Sequence, residues 1–152
     1  VRALSAFEEP EVVVTADVAG VASALLRELE AVVCSTLASE ESTKTSISLA
    51  LVSDAQMTEL NRVYLSHDGP TDVISFPLEL PGGGVVGDVY IGFDQARRQA
   101  EELGIAPREE LLRLAIHGTL HVLGWDHPED GDRAGSEMYR RQEEILAAYR
   151  EA

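Results

Sequence analysis

Apolar residues recur along this chain at two periods, and the switches between them divide it into elements. Val12, Val13 and Val14 form a short β-branched run that reads as a strand. From Val18 through Val21, Ala22, Leu25, Leu29, Val32, Val33 and Leu37 the spacing is helical, with Asp17 placed to cap the helix. Ser46 to Val52 alternates, with Ile47, Leu49 and Leu51 on one side, and predicts a second strand. Ser53 followed by Gln56 is a capping-box pattern that opens a short helix carried by Met57, Leu60, Asn61 and Tyr64. The turn residues Ser66-His67-Asp68-Gly69-Pro70-Thr71 predict a loop, followed by a strand from Asp72 to Phe76 that Pro77 closes. After Pro81-Gly82-Gly83-Gly84, Val85 to Ile91 resumes strand character, so these two strands should pair as an antiparallel hairpin.

Asp94 stands where it can cap a further helix, which Gly104 ends. Pro107 suits a first helical turn, and Glu109 and Glu110 favour the positive end of the dipole of the helix they open. That helix carries Leu112, Ile116, Leu120 and Leu123 as an apolar surface, enough to make it a core element. A polar loop through Asp130-Gly131-Asp132 then leads to a last amphipathic helix near Arg133 to Tyr149. Helices before, between and after about four strands predict an α+β fold, a single domain over residues 1–152 with one small mixed sheet packed by helices.

Composition narrows the classes. No apolar stretch is long enough to span a bilayer, and the first nine residues lack a signal peptide's apolar run, so a soluble, cytoplasmic protein with no membrane partner is expected. The single Cys34 cannot form an internal disulfide and, on a helix of apolar period, is expected to fill the core. The formal net charge of −15 opposes any polyanionic partner. A bound dication together with Arg97, Arg98, Arg108 and Arg113 could still leave one cleft locally positive; otherwise these arginines are solvated helix faces.

The chemistry concentrates in His117-Gly118-Thr119-Leu120-His121-Val122-Leu123-Gly124-Trp125-Asp126-His127. Residues four apart on a helix share a face, so His117 and His121 can reach one cation, and Gly124 allows a reversal that returns His127 as third ligand. Three protein ligands leave a coordination position open, the mark of a catalytic zinc site. Zinc peptidases of the metzincin type share this spacing, but there a glutamate follows the first histidine and acts as general base. Here that residue is Gly118. The cradle is therefore expected to serve another reaction, with Zn2+ as its ion; Ni2+ and Fe2+ also suit such ligands.

Three segments in order resemble the YbeY family, bacterial metal-dependent endoribonucleases implicated in ribosomal RNA maturation. They are the histidine segment, Asp68-Gly69-Pro70-Thr71-Asp72-Val73-Ile74-Ser75-Phe76-Pro77, and Gly87-Asp88-Val89-Tyr90-Ile91, and with Leu60-Asn61 the likeness runs over roughly residues 45 to 148. The resemblance implies zinc ligands at His117, His121 and His127, a single-stranded or ribosomal RNA substrate, and small-subunit components as partners. It also implies an arginine after Tyr64, where this chain has Leu65; Arg62 lies nearby but on another helical face.

Water would be the nucleophile on an RNA phosphodiester, with Asp72, Asp126 or Asp68 as candidate proton acceptors. Asp126 is equally a turn-stabilising residue beside a ligand, and Asp72 equally a strand cap. His67 could approach the site from its loop, and Thr71 and Ser75 could donate to a phosphate from the cleft edge. Two other functions compete: a ribosome-assembly factor with a structural metal and little cleavage activity, which Leu65 and the acidic charge favour, and a peptidase-like hydrolase, which Gly118 disfavours.

Overall fold

The computed structural model describes residues 9–66, 69, 71–126 and 136–151. Four strands form one sheet in the order β1-β2-β4-β3: β1 (Glu11–Ala16), β2 (Thr45–Val52), β3 (Val73–Glu79) and β4 (Val85–Gly92). β1 and β4 run parallel to the central β2, and β3 pairs antiparallel with β4, so the sheet is mixed and the expected hairpin forms. The fold is α+β, with five helices among the described residues: α1 (Ser23–Ser39), α2 (Asp54–Leu65), α3 (Phe93–Leu103), α4 (Pro107–Val122) and α5 (Glu137–Glu151). None of the described helices is long and apolar enough to cross a membrane.

Strand alternation explains the layering. Thr45, Ile47, Leu49 and Leu51 of β2 are buried on the face that meets α1 and α4, while Val52 joins Met57 of α2 and Ile74 in a smaller cluster on the other face. α4 lies at the centre, in contact with α1, α3, α5, β3 and β4. Eleven of its sixteen residues are buried, so the helix expected as a core element is one.

The close seat of α4 on the sheet depends on missing side chains. A Cβ added at Gly118 would come within 2.5 Å of Val89 Cγ1, and one at Gly87 within 2.4 Å of Val122 Cγ1. Both distances lie well inside van der Waals contact.

Local signals were borne out unevenly. Ser53 and Gln56 form the complete capping box, with Ser53 Oγ accepting from Gln56 N–H at 3.2 Å and Gln56 Oε1 from Ser53 N–H at 3.0 Å. Asp17, in contrast, caps no helix. α1 begins six residues later with Ala22 as N-cap, and the Asp17 carboxylate instead accepts from Gln56 Nε2 at 2.6 Å, while its N–H donates to Leu51 O at 2.8 Å. Asp94 lies inside the first turn of α3, whose N-cap is Gly92, and there complements the helix dipole rather than capping it.

Pro77 does not close its strand, which continues to Glu79. Gly92 N–H donates to Asp72 O and Leu80 N–H to Gly84 O, so even-numbered residues of β3 face β4 while Val73, Ser75 and Pro77 turn their backbone groups outward. A residue without N–H costs no ladder bond at such a position on an edge strand.

Cys34 is exposed, not core-filling. The buried stripe of α1 is Leu29, Val32, Val33, Thr36 and Leu37, and position 34 falls about 100° away from 33 around the helix. Partial desolvation, with Glu30 nearby, pushes its thiol up from the usual range. The start of the last helix expected at Arg133 lies outside the described residues; its described part, α5, runs to Glu151.

Candidate metal centre

α4 ends just after His121, and the chain reverses there. Trp125 N–H donates to Leu120 O at 3.0 Å and Gly124 N–H to His121 O at 3.0 Å, a Schellman closure with Gly124 at φ +100°. The turn is tied to the rest of the fold by its indole: Trp125 Nε1 donates to Glu40 at the end of α1, and Arg141 of α5 donates to the other Glu40 oxygen at 2.9 Å. The segment leading toward position 127 therefore leaves from a fixed point.

His117 and His121 stand one turn apart with ring centres 4.7 Å apart and planes at 82°. That separation lets both imidazoles reach a single cation at the usual Zn–N distance of about 2.0–2.1 Å. Each ring is set by an oxygen at its Nδ1. His117 Nδ1 lies 2.7 Å from Gln142 Oε1 and His121 Nδ1 lies 3.0 Å from Trp125 O. With Nδ1–H donated to those acceptors, the lone pair resides on Nε2, the tautomer that metal-ligating histidines adopt. His117 is buried and His121 half-buried.

Both histidines line a cleft of about 520 Å³ that runs beside the outer edge of β3, walled by Leu65, Thr71, Asp72, Ser75, Trp125 and Asp126 among others. Thr71, Asp72 and Ser75 are thus brought to the same cleft as the two histidines. Asp72 Oδ1 accepts from Val73 N–H at 2.8 Å, capping its strand, and Asp72 Oδ2 lies 3.4 Å from Gln99 Nε2. Ser75 Oγ donates to Gly118 O at 3.0 Å, which fastens β3 to α4. Asp126 is exposed at the cleft mouth. His127, His67 and Asp68 lie outside the described residues. Among the described residues no group of three or more His, Cys, Asp or Glu side chains is arranged to hold a metal ion. The donor chemistry of His117 and His121 nevertheless fits a zinc-like cation.

The arginines do not make this cleft positive. Arg98 pairs with Asp54 at 2.9 Å, Arg108 with Glu28, and Arg113 with Glu143 at 2.9 Å, while Arg97 lies over the Phe93 ring and 3.9 Å from Asp94. Arg62 pairs with Glu59 at 2.7 Å and is exposed. Among the described residues the cleft wall carries no lysine or arginine. Gln142, Glu40 and Arg141, which hold the site together, have no local signature: each acts on a residue 25 or more positions away.

The chain is similar to known proteins over most of its length. The family model described as Endoribonuclease YbeY matches residues 15–150. A protein of Desulfitobacterium hafniense named Endoribonuclease YbeY is 44% identical over 118 residues, covering 71% of this chain and 73% of that one. The protein of that name from Bacillus subtilis is 40% identical over 114 residues, covering 68% and 71% respectively. A Thermotoga maritima protein whose structure was solved in solution superposes with a TM-score of 0.63 at 28% identity, over 91% of this chain and 88% of that one. On these matches and the fold they share, this chain belongs to the Endoribonuclease YbeY family.

Proposed function

We propose that this protein is a zinc-dependent endoribonuclease that cuts single-stranded ribosomal RNA during maturation of the small ribosomal subunit, in the cytoplasm. The observation that carries the reading is the pair His117 and His121: two imidazoles a turn apart in a cleft, each with an oxygen at Nδ1, in a chain of this family. His127 is the third ligand in this reading. A divalent cation so held supplies a Lewis acid and brings the pKa of water toward neutrality. The residues of the chain do the rest. The Gln142 amide oxygen and the Trp125 carbonyl lie against Nδ1 of the two ligand rings, and the Trp125–Glu40–Arg141 tie holds the turn from which the third would come. Water attacks phosphorus and the P–O bond to the neighbouring ribose breaks. One proton leaves the attacking water and the departing oxygen gains one. Asp72 and Asp126 are the cleft carboxylates of the right type to accept the first.

The peptidase reading loses ground on packing as well as on sequence. A glutamate at position 118 would have to start from a Cβ that meets Val89 at 2.5 Å. A binding factor that cuts little is the second reading, favoured by Leu65 on the cleft wall and the absence of cations there among the described residues.

The test is cleavage of single-stranded ribosomal RNA by metal-replete protein, repeated after chelation and after zinc is restored. Cleavage lost and regained with the metal supports the enzyme; binding of small-subunit components without cleavage at any metal level replaces it with the assembly factor. Leu65→Arg gives a finer measurement. RNA affinity is expected to rise, and the slope of log affinity against log salt to steepen by about one counterion, the signature of one new phosphate contact. An unchanged slope would show that the side chain at 65 does not meet the phosphates.

A further inference from the structure

Behind His117, away from the cleft, a chain of polar side chains runs through the packing between α4 and α5. Arg113 Nε and Nη2 donate to the two oxygens of Glu143 at 2.9 and 3.0 Å, a bidentate pair. Gln142 Nε2 donates to Glu143 Oε2 at 3.1 Å, and Gln142 Oε1 faces His117 Nδ1 at 2.7 Å. Arg113 Nη1 also reaches the buried Glu110 at 3.4 Å, whose other oxygen accepts from Gln99 Nε2 at 2.9 Å. Gln142 and Glu110 are 3% and 4% exposed, Arg113 and Glu143 are partly exposed, and Gln99, Glu110, Arg113, His117 and Gln142 line a second pocket of about 540 Å³.

The order of charges dictates the direction of every bond in it. An arginine has only N–H groups to offer, so the Glu143 carboxylate accepts from it. A carboxylate is acceptor-only, so Gln142 must turn its NH₂ toward Glu143. The amide oxygen of Gln142 is then left for His117, and an oxygen can only accept. Nδ1 of His117 therefore carries the proton, and the Nε2 lone pair follows. The hydrogen bonds that Arg113 donates to Glu143 hold its guanidinium above its usual pKa, so the source of this polarity stays charged at every working pH.

We infer that Gln142 is a positioning residue whose amide, oriented by the Arg113–Glu143 pair, locks His117 in the metal-ready Nε2 tautomer before any cation arrives. The inference rests on the reading of His117 as a metal ligand. It assigns to α5, which contributes no ligand in that reading, control over a ligand on α4. Glu110 and Gln99 steady the arginine from its other side. Removing partners of this kind lowers metal affinity by about ten- to a hundredfold in metal sites generally.

The test uses the full chain and reads zinc affinity by competition with a chromophoric chelator, beside the imidazole nitrogen spectrum of the metal-free protein. In wild type the His117 ring should report a proton on Nδ1. Gln142→Leu should weaken zinc binding about ten- to a hundredfold and release the ring into a mixture of tautomers. Glu143→Gln, which leaves the Gln142 amide free to flip, should move both readouts the same way by a smaller factor. A merely structural role would lower the melting temperature and leave the tautomer fixed. The inference is overturned if wild-type His117 carries its proton on Nε2, or if folded Gln142→Leu binds zinc as wild type does while His117→Ala loses it. Should His117→Ala itself keep zinc, the ligand assignment fails and the inference falls with it. If Gln142→Leu does not fold, the wild-type spectrum and Glu143→Gln decide the matter.

Discussion

His121→Ala should abolish stoichiometric zinc binding and lower RNA cleavage by more than a hundredfold, beyond the range typical of outer-sphere partners. The ring is half-buried at the cleft and its Nδ1 lies 3.0 Å from Trp125 O in the turn that follows, so little core volume is lost with it. The metal-free variant should therefore melt within about 1 kcal/mol of metal-free wild type, as surface changes outside the core do. Loss of metal with retention of fold separates a functional histidine from a structural one. His117→Ala should lose the metal too, but it also empties a buried position and strands the Gln142 oxygen, so its melting point should fall further. Metal analysis and thermal melts of the two variants check both statements. Zinc retained at one equivalent in His121→Ala would end the assignment of this residue as a ligand.

Gly118→Ala should be the most destabilising single methyl group in the protein's central helix. Its Cβ would lie 2.5 Å from Val89 Cγ1, 3.1 Å from Val73 Cγ2 and 3.2 Å from Ser75 Oγ, on two strands that pack directly beneath. Valine is branched at Cβ and has no flexible end to swing away. Overpacking of this kind costs about 1–3 kcal/mol. For a chain of this size that lowers the melting temperature by roughly 2–4 °C per kcal/mol. Gly118→Glu, the residue of the zinc peptidases, adds four more heavy atoms than alanine and a charge at a buried position, and should fail to give a cooperative melt. If Gly118→Glu folded and cleaved peptides, both the packing argument and the choice of nuclease over peptidase would be wrong.

The parts of this molecule that were legible in its sequence are those encoded by neighbours. Alternation over Ser46 to Val52, the strand character of Val85 to Ile91, the Ser53–Gln56 box and the Pro107 start of α4 depend on residues within one turn or one strand, and the structure has them. So does the reversal at Gly124, because the Schellman bonds span only six residues. The misreadings share a cause. Asp17 and Asp94 are good caps by type, but each was drawn elsewhere by tertiary position: Asp17 to Gln56 of α2, Asp94 into the first turn of a helix that opens straight from β4. Cys34 was misplaced because a helix can look apolar on two sides while the fold buries only one. Gln142 could not have been found by spacing. A glutamine in an amphipathic helix is ordinary until its partner, 25 residues earlier in the chain, is known.

β3 forms an outer border, and at Val73, Ser75 and Pro77 its main chain turns outward along the cleft. Such a border is an open invitation for a second chain to add itself as a fifth strand. The proline withholds one of the donors that a newcomer would need, and the charge of −15 keeps like molecules apart. The groove can therefore stay accessible to solvent and substrate without becoming a seam for aggregation.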